Sequence, residues 1–75
     1  MTTLQPRILS PQEYAVLRYM WDGLQYKEIA VAMELSPSTV KNYIHAIYAI
    51  LGARTGIQAI RRAIELGIIK IGDAQ

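Results

Sequence analysis

The stretch KEIAVAMELSPSTVKNYIHAIYAIL, residues 27–51, decides the fold. It holds two runs of helical periodicity separated by Leu35-Ser36-Pro37. Ahead of the break, Ile29, Ala32 and Met33 form the apolar stripe of a short helix. After it, at about 100° per residue, Val40, Ile44, Ile47 and Leu51 share one narrow arc with Tyr48 beside it. Ser36 is a natural N-cap, and Pro37 falls at the first helical position, where its missing N–H costs nothing. A short helix, a turn of a few residues and a capped longer helix make a helix-turn-helix arrangement.

The far side of the second helix carries chemistry. Opposite the core arc lie Ser38, Lys41, Asn42, His45, Ala46 and Ala49, with Thr39, Tyr43 and Ile50 on one flank. In a helix-turn-helix the second helix enters the major groove and its early residues meet base edges. Lys41 can donate to guanine O6 or N7, Asn42 can pair bidentately with adenine, and His45 can donate or accept. Ala46 and Ala49 are small enough to let the helix sit deep. Ser38, Thr39 and the amides of the first turn can take a phosphate. Singly, each residue has an ordinary explanation: Lys41 as a solvated charge, His45 and Asn42 as surface residues, Tyr43 as a ring closing the core. Their combination after that turn points to DNA. The basic residues then stop, with no lysine or arginine from Asn42 to Ala53.

Outward from this segment, Ser10-Pro11-Gln12-Glu13 is a capping box that opens a helix over about 11–22, ended by Gly23. The short helix spans about 26–34, and Gln25 is a poor cap for it. The long helix spans about 37–51 and stops at Gly52. Thr55-Gly56-Ile57-Gln58 has the spacing of another capping box and opens a last helix over about 56–66, ended by Gly67. Residues 1–8 read as an N-terminal arm, 9–67 as the domain and 68–75 as a tail whose Ile68, Ile69 and Ile71 could pack back or bind something. The expected class is all-α with four helices. On the last helix Ile57, Ile60 and Ile64 share a face suited to the core, while Ala59, Ala63 and Leu66 lie nearly opposite, with Arg62 beside them. That second stripe, with Arg62, is a candidate dimer interface. A compact bundle could equally bury both stripes, and periodicity leaves the choice open.

Seventy-five residues bound the chain to one small domain. The absence of cysteine excludes disulfides and thiolate zinc sites, and one histidine excludes a histidine-cluster metal site. At 52% hydrophobic and 19% charged the composition is globular. No apolar run approaches the length of a membrane span, and the N-terminus lacks a signal-peptide pattern, so the expected compartment is the cytoplasm. The net charge of +2 permits nucleic acid without announcing it. There is no Ser/His/Asp set, no carboxylate pair and no glycine-rich phosphate loop, so no catalytic residue, enzyme activity, cofactor or small-molecule ligand is expected.

The motifs Leu9-Ser10-Pro11…Glu13…Val16-Leu17, Gly23-Leu24…Lys27-Glu28-Ile29-Ala30, Leu35-Ser36-Pro37-Ser38-Thr39-Val40-Lys41-Asn42 and Leu51-Gly52-Ala53-Arg54 together resemble the LuxR/GerE-type helix-turn-helix domain of bacterial transcription regulators. The resemblance covers about Leu9 to Leu66. It implies a four-helix fold, a recognition helix at 37–51 and a dimer contact on the last helix. It sets Lys41, Asn42 and His45 at base-facing positions, and Lys27, Thr39 and Tyr43 at positions that touch the backbone, where Ser38 and Arg54 could join them. The chain departs from the family pattern at Tyr43, usually histidine, at Ala49 and Ile50, usually basic, at Gln25, usually serine or threonine, and at Gly56, usually arginine. These changes remove phosphate contacts, each worth roughly one unit of salt slope. With few residues ahead of the match, a stand-alone regulator without a receiver or ligand-binding domain is expected.

The expected function is sequence-specific binding of double-stranded DNA by a homodimeric transcription regulator. The alternative is a protein-binding adaptor on the same fold, meeting another regulator or RNA polymerase through Tyr43, Tyr48, Ile50, the Ala59/Ala63/Leu66 stripe or the Ile68–Ile71 tail.

Overall fold

Hydroxyl side chains start three of the helices. In the computed structural model, which describes residues 9–70, the Oγ of Ser10 accepts from the Glu13 amide at 3.1 Å and the Glu13 carboxylate accepts from the Ser10 amide at 3.0 Å. This closed box opens α1, Pro11–Trp21. Ser36 Oγ accepts from the Thr39 amide at 3.2 Å and opens α3, Pro37–Leu51. Thr55 Oγ1 accepts from the Gln58 amide at 3.1 Å and opens α4, Gly56–Glu65. Each such cap is worth about 1 kcal/mol. The Gln58 side chain passes over Thr55 and accepts from the Arg54 amide at 2.9 Å, tying down the loop that enters α4. Gln25, the poor cap, is helped from the other side. The Glu28 carboxylate accepts from the Gln25 amide at 2.7 Å and opens α2, Tyr26–Met33. Glu28 is therefore a capping residue too, three positions along in the same spacing as Glu13.

All four helices end alike. A residue with positive φ follows each helix, at Gly23, Glu34, Gly52 and Gly67. The next amide then bonds back five residues: Leu24 to Tyr19, Leu35 to Ala30, Ala53 to Tyr48 and Ile68 to Ala63, at 2.8–3.1 Å. This satisfies carbonyls that a helix end leaves orphaned. It also trims the helices relative to the sequence expectation. Asp22, Glu34 and Leu66 are caps rather than helical residues. Glycine serves three of these stops, while Glu34 holds φ 58° with a full side chain.

The chain is all-α with four helices. α3 packs against each of the other three. Its inward residues Val40, Ile47 and Leu51 meet Val16 and Leu17 of α1 and Ile29 and Ala30 of α2 in one buried cluster. α4 contributes Ala59 and Ala63, both 0% exposed, and Ile57 is left 80% exposed. Of the two stripes left open by periodicity, the alanines take the centre of the contact, which removes Ala59 and Ala63 from the candidate dimer interface. The physical reason is distance. Helices pack closest where the facing side chains are small, and methyl groups at 59 and 63 let α4 lie flush on the core where isoleucines would hold it off. Ile60 and Ile64 are half-buried at the edge of the contact.

Beyond α4 the core continues. Ile69 is fully buried, and the amides of Ile68 and Ile69 both donate to the Ala63 carbonyl, at 2.8 and 3.3 Å. The packed unit thus extends past Gly67, and the first part of the expected tail belongs to it. The expected arm, residues 1–8, and the last five residues of the expected tail lie outside the described residues.

Candidate nucleic-acid interface

The Ser36 cap fixes where α3 begins, and so fixes which side chains leave the domain. Its core arc turns Ser38, Lys41, Asn42, His45 and Ala49 to solvent in one strip, with Ala46 partly covered. At about 1.5 Å per residue the strip from Ser38 to Ala49 is about 16 Å long, a length that lies along a major groove. The strip holds an ammonium, an amide and an imidazole up to His45 and only methyl groups beyond.

The first turn of α3 differs in detail from the sequence reading. Pro37 has no N–H, the Thr39 amide is taken by Ser36 Oγ, and the Val40 amide bonds the Ser36 carbonyl at 3.2 Å. Among the described residues this leaves the Ser38 amide as the free donor of that turn. Thr39 Oγ1 lies 2.9 Å from Ser36 Oγ. The two hydroxyls therefore serve each other as well as the cap, and the Thr39 side chain is half-buried. Lys27 on α2 and Arg54 after α3 are exposed. The Tyr43 ring is half-buried against the core, so part of it is structural and only the remainder is open to solvent.

Lys41 is held from the side. Its Nζ lies 5.2 Å from the centroid of the Tyr26 ring, at the start of α2. Tyr26 packs against the core, so the ring is a fixed platform. No sequence signal marks this pair: the residues are far apart in the chain and meet only because the turn folds α2 beside α3.

The dimer candidates separate into different environments. Ala59 and Ala63 are inside the domain. Arg62 turns toward α3, donating from Nε to the Leu51 carbonyl oxygen at 3.1 Å, and its Nη1 pairs with Glu65 at 3.0 Å. Leu66 remains on the surface, 47% exposed. The apolar side chains that do face outward include Val31 at 79%, Ile50 at 43% and Ile57 at 80%. The surfaces named for a protein-binding adaptor shrink accordingly. Tyr43 and Tyr48 pack on the core, Ala59, Ala63 and Ile69 are buried, and Ile71 lies outside the described residues.

No helix among the described residues is long and apolar enough to cross a membrane.

Comparison with known proteins gives a consistent result. The family model for bacterial regulatory proteins of the luxR family, GerE, matches residues 7–63. The probable HTH-type transcriptional regulator GfsR of Streptomyces halstedii is 46% identical over 54 residues, covering 72% of this chain and 22% of that protein. The transcriptional activator protein YukR of Yersinia ruckeri is 40% identical over 63 residues, 84% of this chain and 28% of its own length. The transcriptional regulatory protein DesR of Bacillus subtilis is 39% identical over 62 residues, 83% of this chain and 31% of that protein. The chain thus spans roughly a quarter of the length of these three relatives.

Proposed function

The chain belongs to the luxR family of bacterial regulatory proteins, a family of transcription regulators and not of enzymes, and from that membership we propose that it binds duplex DNA sequence-specifically by laying the first half of α3 in the major groove. The observation that carries this is the exposed strip of α3, where Lys41, Asn42 and His45 stand together on the side away from the core. Each matches a base edge: Lys41 a guanine, Asn42 an adenine, His45 either kind of acceptor or donor. Lys27, Ser38, Thr39, the exposed part of Tyr43 and Arg54 flank the strip and suit the phosphate backbone, which fixes register without carrying sequence. Thr39 does so at the cost of its bond to Ser36.

We place the homodimer contact on the outward face of α4, where Ile57 projects and Ile60 and Ile64 border the core. A two-fold contact through this face sets two α3 helices on one side of the duplex and favours a site with two-fold symmetry. The relatives, among them a transcriptional activator protein and a transcriptional regulatory protein, support a role in transcription control.

Selection of bound duplexes from a random pool, with affinity followed across salt, tests the reading. The expected outcome is a two-fold symmetric consensus with a negative slope of log affinity on log salt. A weak, sequence-blind response with a flat slope overturns it. The exposed Val31, Ile50 and Ile57 then favour the adaptor reading, and Ile50→Lys separates the two.

A further inference from the structure

Lys41 is the lone lysine or arginine of α3, so the recognition strip has one permanent cation. A lysine stem is flexible and its ammonium is a compact point charge, which ordinarily makes it a poor reader of position. Here the ammonium lies 5.2 Å from the Tyr26 ring centroid, within the range at which the negative face of an aromatic ring attracts a cation. Tyr26 is the first residue of α2 and its ring is braced by the core. The contact therefore links the two helices of the helix-turn-helix across their turn. An ammonium has three N–H donors. A ring face engages one side of the group, and the remaining donors stay available for a guanine edge. A stem already held against a ring also loses less rotamer freedom on meeting DNA.

We propose that Tyr26 is a positioning residue for Lys41: its ring holds the ammonium in the place from which it reads a base, and so sets the sequence preference at that base pair. The inference rests on the DNA-binding reading above. The hydroxyl of Tyr26 has no part in it, because the attraction comes from the ring face.

The test uses the full 75-residue chain, the duplex recovered from the random pool and a copy substituted at the base pair whose preference Lys41→Met removes. Tyr26→Leu keeps an apolar side chain against the core and removes the ring face. It should bind the recovered duplex roughly two- to fivefold more weakly, the range expected of an exposed cation–π pair, and discriminate less against the substituted copy. Tyr26→Phe should behave as the parent chain. In the Lys41→Met background, Tyr26→Leu should cost nothing further. An equal loss in that background means that Tyr26 acts only on the fold and overturns the proposal. An equal loss in Tyr26→Phe and Tyr26→Leu points to a hydroxyl contact and also overturns it. A readout without DNA stands beside these. The ε-methylene protons of Lys41 should show an upfield ring-current shift in the free protein that survives Tyr26→Phe and vanishes in Tyr26→Leu. Absence of that shift overturns the positioning contact and leaves the DNA reading untouched. Failure of the parent chain to select any duplex overturns the DNA reading and the positioning role together.

Discussion

Arg62 Nε, on α4, donates to the carbonyl oxygen of Leu51, the last residue of α3, at 3.1 Å. That carbonyl is one of those a helix end leaves without an intrahelical donor, and a cation there also meets the negative end of the helix dipole. The bond fastens α4 to the helix proposed to read DNA. Arg62→Ala should lower stability by about 1 kcal/mol, since the side chain is half in solvent. For a domain of this size that is a fall in Tm of about 4–8 °C. The fall should be the same at low and high protein concentration. An arginine at a subunit interface would instead give a loss that depends on concentration.

Two substitutions on α4 should act in different ways. Ala59→Leu forces a larger side chain into a fully buried site and should cost about 1–3 kcal/mol, measured by denaturant unfolding. Ile57→Asp alters an exposed position and should leave the unfolding midpoint of the monomer nearly unchanged, while sedimentation shows loss of the proposed dimer. Dissociation by the first without unfolding, or unfolding by the second, would contradict the assignment of the two faces.

The last helix also marks where sequence reasoning stopped. Its two apolar stripes are equally periodic, so hydrophobicity alone favours the larger isoleucines for the core. What decides the matter is how closely α4 can approach α1 and α3, a property of the assembled bundle and not of the segment. Elsewhere the punctuation was local and therefore legible. The Ser10 and Ser36 caps, the prolines after them and the glycine stops locate α1 and α3 nearly to the residue. Gln25 and Glu28 carry the spacing of a cap as well, and that signal could have been used. The exposed strip of α3 followed from periodicity, but the support of Lys41 by Tyr26 did not. Nor did the burial of Ile69, because a short apolar run after a helix stop has no period to interpret.

Glu34 ends α2 at φ 58°, in a conformation that favours glycine. An L-side chain there costs roughly 1–2 kcal/mol, partly offset by the greater freedom glycine has when unfolded. Glu34→Gly should therefore exceed Glu34→Ala in stability by about 0.5–1 kcal/mol, read from guanidinium midpoints. The alanine variant removes the same charge, so the difference isolates the backbone. Equal midpoints would show that the turn bears no such strain.

Lys41→Ala and Asn42→Ala alter exposed residues and should leave the fold intact. Asn42→Ala should hold Tm nearly unchanged, and Lys41→Ala should lower stability by no more than the Tyr26 contact, about 0.5–1 kcal/mol. Each should erase the preference at one base pair of the selected site, worth about 1–3 kcal/mol of discrimination. Retention of the full consensus by both variants would remove α3 from the role of reader.

Ile50→Lys adds a cation to the flank of α3 where none stands. Against DNA it should raise affinity and steepen the salt dependence by about one unit of slope. Against a protein partner that uses the apolar flank it should weaken binding. Titration of the variant at several salt concentrations separates these results.

Ile69 gives the domain a mechanical property. Its side chain is sunk in the core, and its amide shares the Ala63 carbonyl with that of Ile68. Tension applied beyond Lys70 therefore meets a latch before it meets a helix. The load passes through Ile69 to Ala63, in the last turn of α4, and spares the exposed turn at Gly67. Pulling Ile69 free would open a cavity beside the methyl groups on which α4 rests, so the domain should yield as a unit and not by fraying from its C-terminal side.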